Sequence, residues 1–131
     1  MIHRRDRGAA AVEFALLLPL LLLLVFGIID FGRALNAQIT LTQAAREGAR
    51  LAALGEPNVV SGTQAAATGL SPVAVTVTSC PVNAGAGVDA TVKVSYTFSF
   101  VTPLSALSKL FGSALPSTMT LSAQGVMPCE T

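Results

Sequence analysis

Apolar residues fall along this chain in three different rhythms. From Phe14 to Ile29 the chain reads FALLLPLLLLLVFGII, sixteen positions without a charge, interrupted only by Pro19 and Gly27. Counted from Ala9, with Glu13 included, the run is twenty-one residues, about the length at which a helix crosses a bilayer. Pro19 removes one backbone hydrogen bond and predicts a modest kink of the kind membrane helices tolerate. The second rhythm follows Asp30 and Arg33, which mark the exit from the apolar run. Ala34 to Leu54, ALNAQITLTQAAREGARLAAL, has no proline and is rich in strong helix formers. The two stretches together predict one helix from Ala9 to Leu54, about 69 Å long at 1.5 Å per residue. Gly55 is its expected C-cap, and Glu56-Pro57 its stop.

The third rhythm is alternation. Asn58 is placed to cap a short helix from Val59 to Thr68, closed by Gly69. After Ser71-Pro72, Val73, Val75 and Val77 alternate with Ala74, Thr76 and Thr78, which is strand period. Asn83-Ala84-Gly85-Ala86-Gly87 reads as a loop. Val88, Ala90, Val92, Val94, Tyr96, Phe98 and Phe100 then alternate with Asp89, Thr91, Lys93, Ser95, Thr97 and Ser99, a strand with one buried and one wet face. Pro103 opens a short helix, Leu104 to Phe111, with Leu104, Leu107 and Phe111 on one side. Met119, Leu121 and Ala123 alternate with Thr118, Thr120, Ser122 and Gln124 to give a third strand. The fold class expected is α+β: a long N-terminal membrane-spanning helix, then a small three-stranded antiparallel sheet domain with short helices, the long or the short helix covering the sheet. The chain divides accordingly into a basic leader (1–8), a transmembrane helix (9–30), its outer continuation (31–55) and a small extracytoplasmic domain (56–131).

Composition sharpens this picture. Of the 131 residues 52% are hydrophobic and only 11% charged, against a usual quarter charged in soluble domains. A domain of about 75 residues beyond the anchor is marginal on its own and gains from a staple. Cys80 closes the first strand and Cys129 follows the third. Both lie in the part placed outside, where oxidising conditions favour a disulfide, and a bridge would close a loop of about 50 residues worth about 3–4 kcal/mol. Two unpaired buried thiols are the other reading. The net charge of +1 gives no electrostatic footprint for nucleic acid. Arg4, Arg5 and Arg7 precede the apolar run, while Lys93 and Lys109 are the only basic residues after Arg50. That asymmetry places the N-terminus in the cytoplasm and the C-terminal domain outside the inner (cytoplasmic) membrane, as a single-pass protein. A cleaved secretory signal fits poorly, because the run is long and no small-x-small site follows it.

Candidate chemistry is sparse. The one histidine, His3, lies in the basic head, so no serine or cysteine of the outer domain has a histidine to activate it. Glu56, Asp89 and Glu130 are too widely spaced for metal ligation or paired-carboxylate chemistry. Gly85-Ala86-Gly87 lacks the lysine and the strand–turn–helix setting of a phosphate loop. No catalytic residue, metal, cofactor, nucleic acid or small-molecule substrate is expected, and the chain does not read as an enzyme.

Two features of the long helix remain. The first is Glu13, a carboxylate inside hydrocarbon-length sequence and therefore a functional candidate. Its bland reading is a carboxylate solvated by headgroups near the helix start, where the helix dipole favours it. Glu13 lies five residues after Gly8, behind a basic leader. A basic leader, Gly, four residues, Glu and a long apolar run make the pattern of type IV prepilin-like proteins. Gly8 can enter a protease cleft in extended form, and the amine of a new N-terminal Ala9 can pair with Glu13 of the same or a neighbouring subunit. The second feature is the pair of small-xxx-small spacings, Ala44 with Gly48 and Ala45 with Ala49, which allow close helix packing. They suit either a contact between subunits or packing on the chain's own sheet, and Glu47 can reach Arg50 at i,i+3.

Gly8, Glu13-Phe14, Leu18-Pro19, Asp30-Phe31-Gly32-Arg33 and Ala44-Ala45-Arg46-Glu47-Gly48-Ala49-Arg50 together resemble the TadE-like family, minor pseudopilins of tight-adherence (Flp pilus) systems. The resemblance covers the first 54 residues. It implies cleavage between Gly8 and Ala9 by a prepilin peptidase, with Glu13 and Phe14 serving processing and assembly. It also implies partnership with other pilins, pseudopilins and the pilus assembly machinery, in the membrane or on the pilus. A folded domain beyond the helix favours a minor component over the main filament subunit. The alternative is a membrane-anchored binding or adhesion module that is not built into a pilus.

Overall fold

The computed structural model describes residues 3–130, with side chains from residue 6. Ile2 and the side chains of His3, Arg4 and Arg5, which belong to the basic leader, lie outside the described residues. The elements run α1 (His3–Ala53), α2 (Val59–Ala66), β1 (Ala74–Thr78), β2 (Asp89–Ser99), α3 (Leu104–Lys109) and β3 (Thr118–Pro128). The class is α+β, with a long apolar helix followed by an antiparallel sheet and short helices.

Helix α1 is 51 residues long and continues through Pro19. It begins at His3 rather than Ala9, so the leader as far as described is helical and Gly8 lies within the helix. Asp6 in the first turn complements the positive end of the helix dipole. At the other end Gly55 takes φ +72°. Its N–H donates to the Ala52 carbonyl at 3.2 Å and the Glu56 N–H to the Leu51 carbonyl at 3.0 Å. That pair of bonds is a Schellman closure, which a glycine adopts without a Cβ penalty.

The chain forms two compact units. One comprises residues 34–99 and 118–131, and its sheet has the order β1-β2-β3. Strand β2 pairs along its whole length with β3, from Asp89 opposite Pro128 to Ser99 opposite Thr118. The shorter β1 pairs on its other edge, from Ala74 opposite Ser95 to Thr78 opposite Thr91. Period-2 patterning sets one face: Ala90, Val92, Val94 and Phe98 of β2 and Leu121 of β3 are buried. Met119 is exposed and Tyr96 half-buried, so the face is dry towards its middle and opens at one end.

Residues 34–53 of α1 cover this face. Ala37, Leu41, Ala44, Ala45, Ala49 and Ala52 are all buried, and the helix backbone approaches the sheet closely. A Cβ on Gly125 would stand 2.1 Å from the Ala45 carbonyl oxygen, and one on Gly48 2.9 Å from Val92 Cγ1. The boundary expected at residue 56 therefore does not separate helix from folded unit, because half of the sheet's core is supplied by α1. Helix α2 closes the side of the same core through buried Val59 and Thr63. Its start differs from expectation: the Asn58 side chain makes no capping bond, and the Asn58 carbonyl instead accepts from Gly62 N–H and Ser61 Oγ. Cys80 and Cys129 form a disulfide with Cα atoms 5.8 Å apart, beside a bond from Cys129 N–H to the Val88 carbonyl at 2.9 Å.

The other unit comprises residues 1–33 and 100–117. The apolar run of α1 is openly displayed in it: Leu16 is 75% and Ile28 73% exposed. In water such a surface has no partner. The helix is long and apolar enough to cross a membrane, with a mean hydropathy of 2.8 over its most apolar window, and the chain is anchored by this single pass. In the stretch between β2 and β3, Leu104 and Leu107 are half-buried as expected, but Phe111 is exposed, because α3 ends at Lys109 and Gly112 turns the chain at φ +75°.

Candidate functional site

The features that stood out in the sequence fall at three levels of α1. At the first, Gly8, Ala9, Glu13 and Phe14 all lie exposed on the helix. The Gly8–Ala9 peptide is in helical rather than extended form, at a residue about 1 kcal/mol poorer than alanine as a helix former. A Cβ at Gly8 would meet nothing within 4 Å, so no packing requirement accounts for this glycine. Glu13 has no ion-pair partner among the described residues. It stands one helical turn beyond Ala9, about 6 Å along the axis at 1.5 Å per residue.

The second level is one that sequence reasoning marked only as a membrane exit. Asp30 has no exposed surface. Its carboxylate accepts from Val101 N–H at 3.2 Å and Thr102 N–H at 3.4 Å, and from the Thr102 hydroxyl. Arg33, one turn on, donates to it at 3.4 Å. An ionised carboxylate is suited to this, since it offers acceptor sites only and can take several donors at once. Thr102, one of several hydroxyls in residues 100–117, carried no signal in the sequence that marked it as the partner.

At the third level are Ala44, Ala45, Gly48 and Ala49. All four are buried within the chain itself, against its own sheet and Thr63. Of the two readings of the small-xxx-small spacing, the structure realises the internal one. The charges of this motif point outward: Glu47 accepts from Arg50 at 3.3 Å, with both side chains substantially solvated. Such a pair contributes little to stability.

Among the described residues no group of three or more His, Cys, Asp or Glu could hold a metal ion. Glu56, Asp89 and Glu130 are each exposed.

The family model described as TadE-like protein matches residues 8–50. Over that stretch the chain is TadE-like. The TadE-like match opens on Gly8, closes on Arg50, and so contains all three levels of the helix while leaving the strands outside it. It ties the chain to Tad pilus-related proteins. No curated protein and no solved structure matches the chain.

Proposed function

We propose that this protein is a minor pseudopilin of a Tad (Flp) pilus, cut between Gly8 and Ala9 by a prepilin peptidase and acting in pilus assembly for surface adherence. The observation that carries the proposal is Gly8 five residues before Glu13, at the head of an apolar helix within the TadE-like stretch. The leader stays cytoplasmic through its arginines, and the sheet unit lies outside. Cleavage converts Ala9 into a cationic N-terminus one turn from Glu13. The pair then offsets the cost of holding a carboxylate near hydrocarbon. The partners are the membrane, the peptidase, other pilins and the assembly machinery, and the role is structural rather than enzymatic. A folded unit beyond the helix suits a minor or initiating subunit.

The test is the intact mass of the protein extracted from membranes of cells with an active prepilin peptidase. The expected mass corresponds to a chain beginning at Ala9, and Gly8→Ala should leave the full-length form and reduce surface adherence. A full-length mass in wild-type cells, or adherence unchanged by Gly8→Ala, sinks the reading.

The competing reading, an anchored binding module, is examined with a longer fragment than the sequence suggested. A fragment from Glu56 lacks Leu41, Ala44, Ala45 and Ala49 and so half the core. One beginning at Ala34 retains it.

A further inference from the structure

The connection between β2 and β3 has no topological reason to be long, since antiparallel neighbours are joined by as few as two residues. Here it is residues 100–117, FVTPLSALSKLFGSALPS, with Lys109 as its only charge. Loops at an aqueous surface are polar. This one displays Val101 at 71%, Leu110 at 73%, Phe111 at 50% and Leu115 at 45% exposure, an apolar set that calls for a partner.

Its attachment says which partner. Val101 and Thr102 are hydrogen-bonded to Asp30, the residue directly after the uncharged run that ends at Ile29. On the face of α1 that carries Asp30, Pro19, Leu23, Phe26 and Gly27 are half-buried while the other residues from 14 to 29 are exposed, at the spacing of one helix side. Residues 1–33 and 100–117 form one compact unit. The connection is thus held at the level where the helix leaves the bilayer. We propose that residues 100–117 are a second membrane-contacting element, with Leu110, Phe111 and Leu115 in the interfacial layer of the lipid beside the spanning helix. The inference rests on α1 being a membrane anchor.

Three further observations fit a lipid environment. Backbone donors in a water-poor layer must be satisfied internally. The Phe100 N–H donates to the Ser117 carbonyl, Leu107 to Pro103, Phe111 to Ser108, Gly112 to Lys109 and Ser113 to Ser108, all at 2.9–3.2 Å. The Ser108 hydroxyl is turned back to the Ser105 carbonyl at 2.8 Å. Lys109 is exposed, and its flexible stem lets the ammonium reach lipid phosphates while its neighbours stay in the acyl boundary.

The chain contains no tryptophan, so a single indole reports its own surroundings. Full-length Phe111→Trp, Leu20→Trp and Val82→Trp proteins are reconstituted into phosphatidylcholine vesicles with and without lipids brominated near the headgroup end of the acyl chains. Leu20→Trp reports the span. Val82, 92% exposed in the sheet unit, reports water. The expected result is blue-shifted emission from Phe111→Trp that falls by about half with brominated lipid, as for a side chain seated at the acyl boundary, and no such change for Val82→Trp. Leu110→Trp reads the same surface and should behave alike. Quenching at Leu20→Trp without quenching at Phe111→Trp or Leu110→Trp overturns the inference and leaves the anchor standing. No quenching at any of the three overturns both. Indoles shielded from aqueous acrylamide yet untouched by brominated lipid overturn it in favour of a protein partner or a second copy of the chain.

Discussion

Between Phe14 and Ile29, α1 carries eleven leucines, isoleucines and valines in close succession, ten of them exposed, whereas between Ala34 and Ala53 the same helix carries mostly small and polar residues and buries Leu41, Ala44 and Ala45 completely. Hydrophobicity and burial within the chain run in opposite directions along one element. The large aliphatic side chains of the first stretch have acyl chains as their solvent, so nothing in the protein needs to cover them. The small side chains of the second let two backbones approach until only a glycine fits between them, and their burial reflects packing distance more than transfer energy. What differs between the two is therefore tolerance: the first stretch accepts changes of shape, and the second does not.

The sharpest break in this comparison is at Gly125. Gly125→Val sets a side chain against the Ala45 carbonyl and should cost about 4 kcal/mol or more, as backbone-level overpacking does. Gly27→Ala, with nothing within 4 Å of the new atom and a place in the apolar run, should leave the unfolding of the sheet unit unchanged to within about 0.5 kcal/mol. Urea unfolding followed by amide exchange in β2 measures both. If Gly125→Val unfolds at the wild-type midpoint, the helix does not lie on the sheet as described.

Next in size is the disulfide. Replacing Cys80 and Cys129 by serine should lower stability of the sheet unit by about 3–4 kcal/mol, seen as a reduced urea midpoint. The yield from detergent-extracted membranes should not change, because the apolar run is untouched.

A matched pair of leucines tests the central claim. Leu41→Ala should cost about 3 kcal/mol for a fully buried side chain. Leu16→Ala should change the unfolding of the sheet unit by less than about 0.5 kcal/mol. Equal effects from the two would erase the distinction drawn between the stretches.

The most local effect belongs to Asp30. Asp30→Ala leaves the Val101 and Thr102 N–H groups without their acceptor, at about 1–3 kcal/mol for lost bonds to a buried group. Amide exchange should accelerate at Val101 and Thr102 while β2 keeps its protection. Faster exchange throughout β2 instead would mean that Asp30 supports the whole fold.

Much of this molecule is legible in its sequence. The alternation of Ala90, Val92 and Val94 marked β2 and its buried face, the uncharged run marked the anchor, and Gly55 marked the end of α1, because each is dictated by local periodicity or by one residue's backbone freedom. Legibility failed where the partner is distant. Asp30 read only as the exit from the apolar run, and no local rule points some seventy residues on to Val101 and Thr102. The small-xxx-small spacing was compatible with a neighbour's helix or with the chain's own sheet, since a close approach looks the same from one side. Gly125 lies just past the alternating residues 118–124, and no local rule places it under Ala45.

By itself, then, the sequence determined the element types, the single apolar span, the five-residue spacing of Gly8 and Glu13 at its head, and the TadE-like character of residues 8–50. These depend on spacing, charge and hydrophobicity along the chain, which act over a few turns. Only the tertiary structure decided that the outer half of α1 is the lid of the sheet, that Asp30 holds residues 101 and 102, and that the link from β2 to β3 turns an apolar surface outward. Those outcomes depend on which surfaces meet, and the choice among chemically similar partners is made by the geometry of the whole fold.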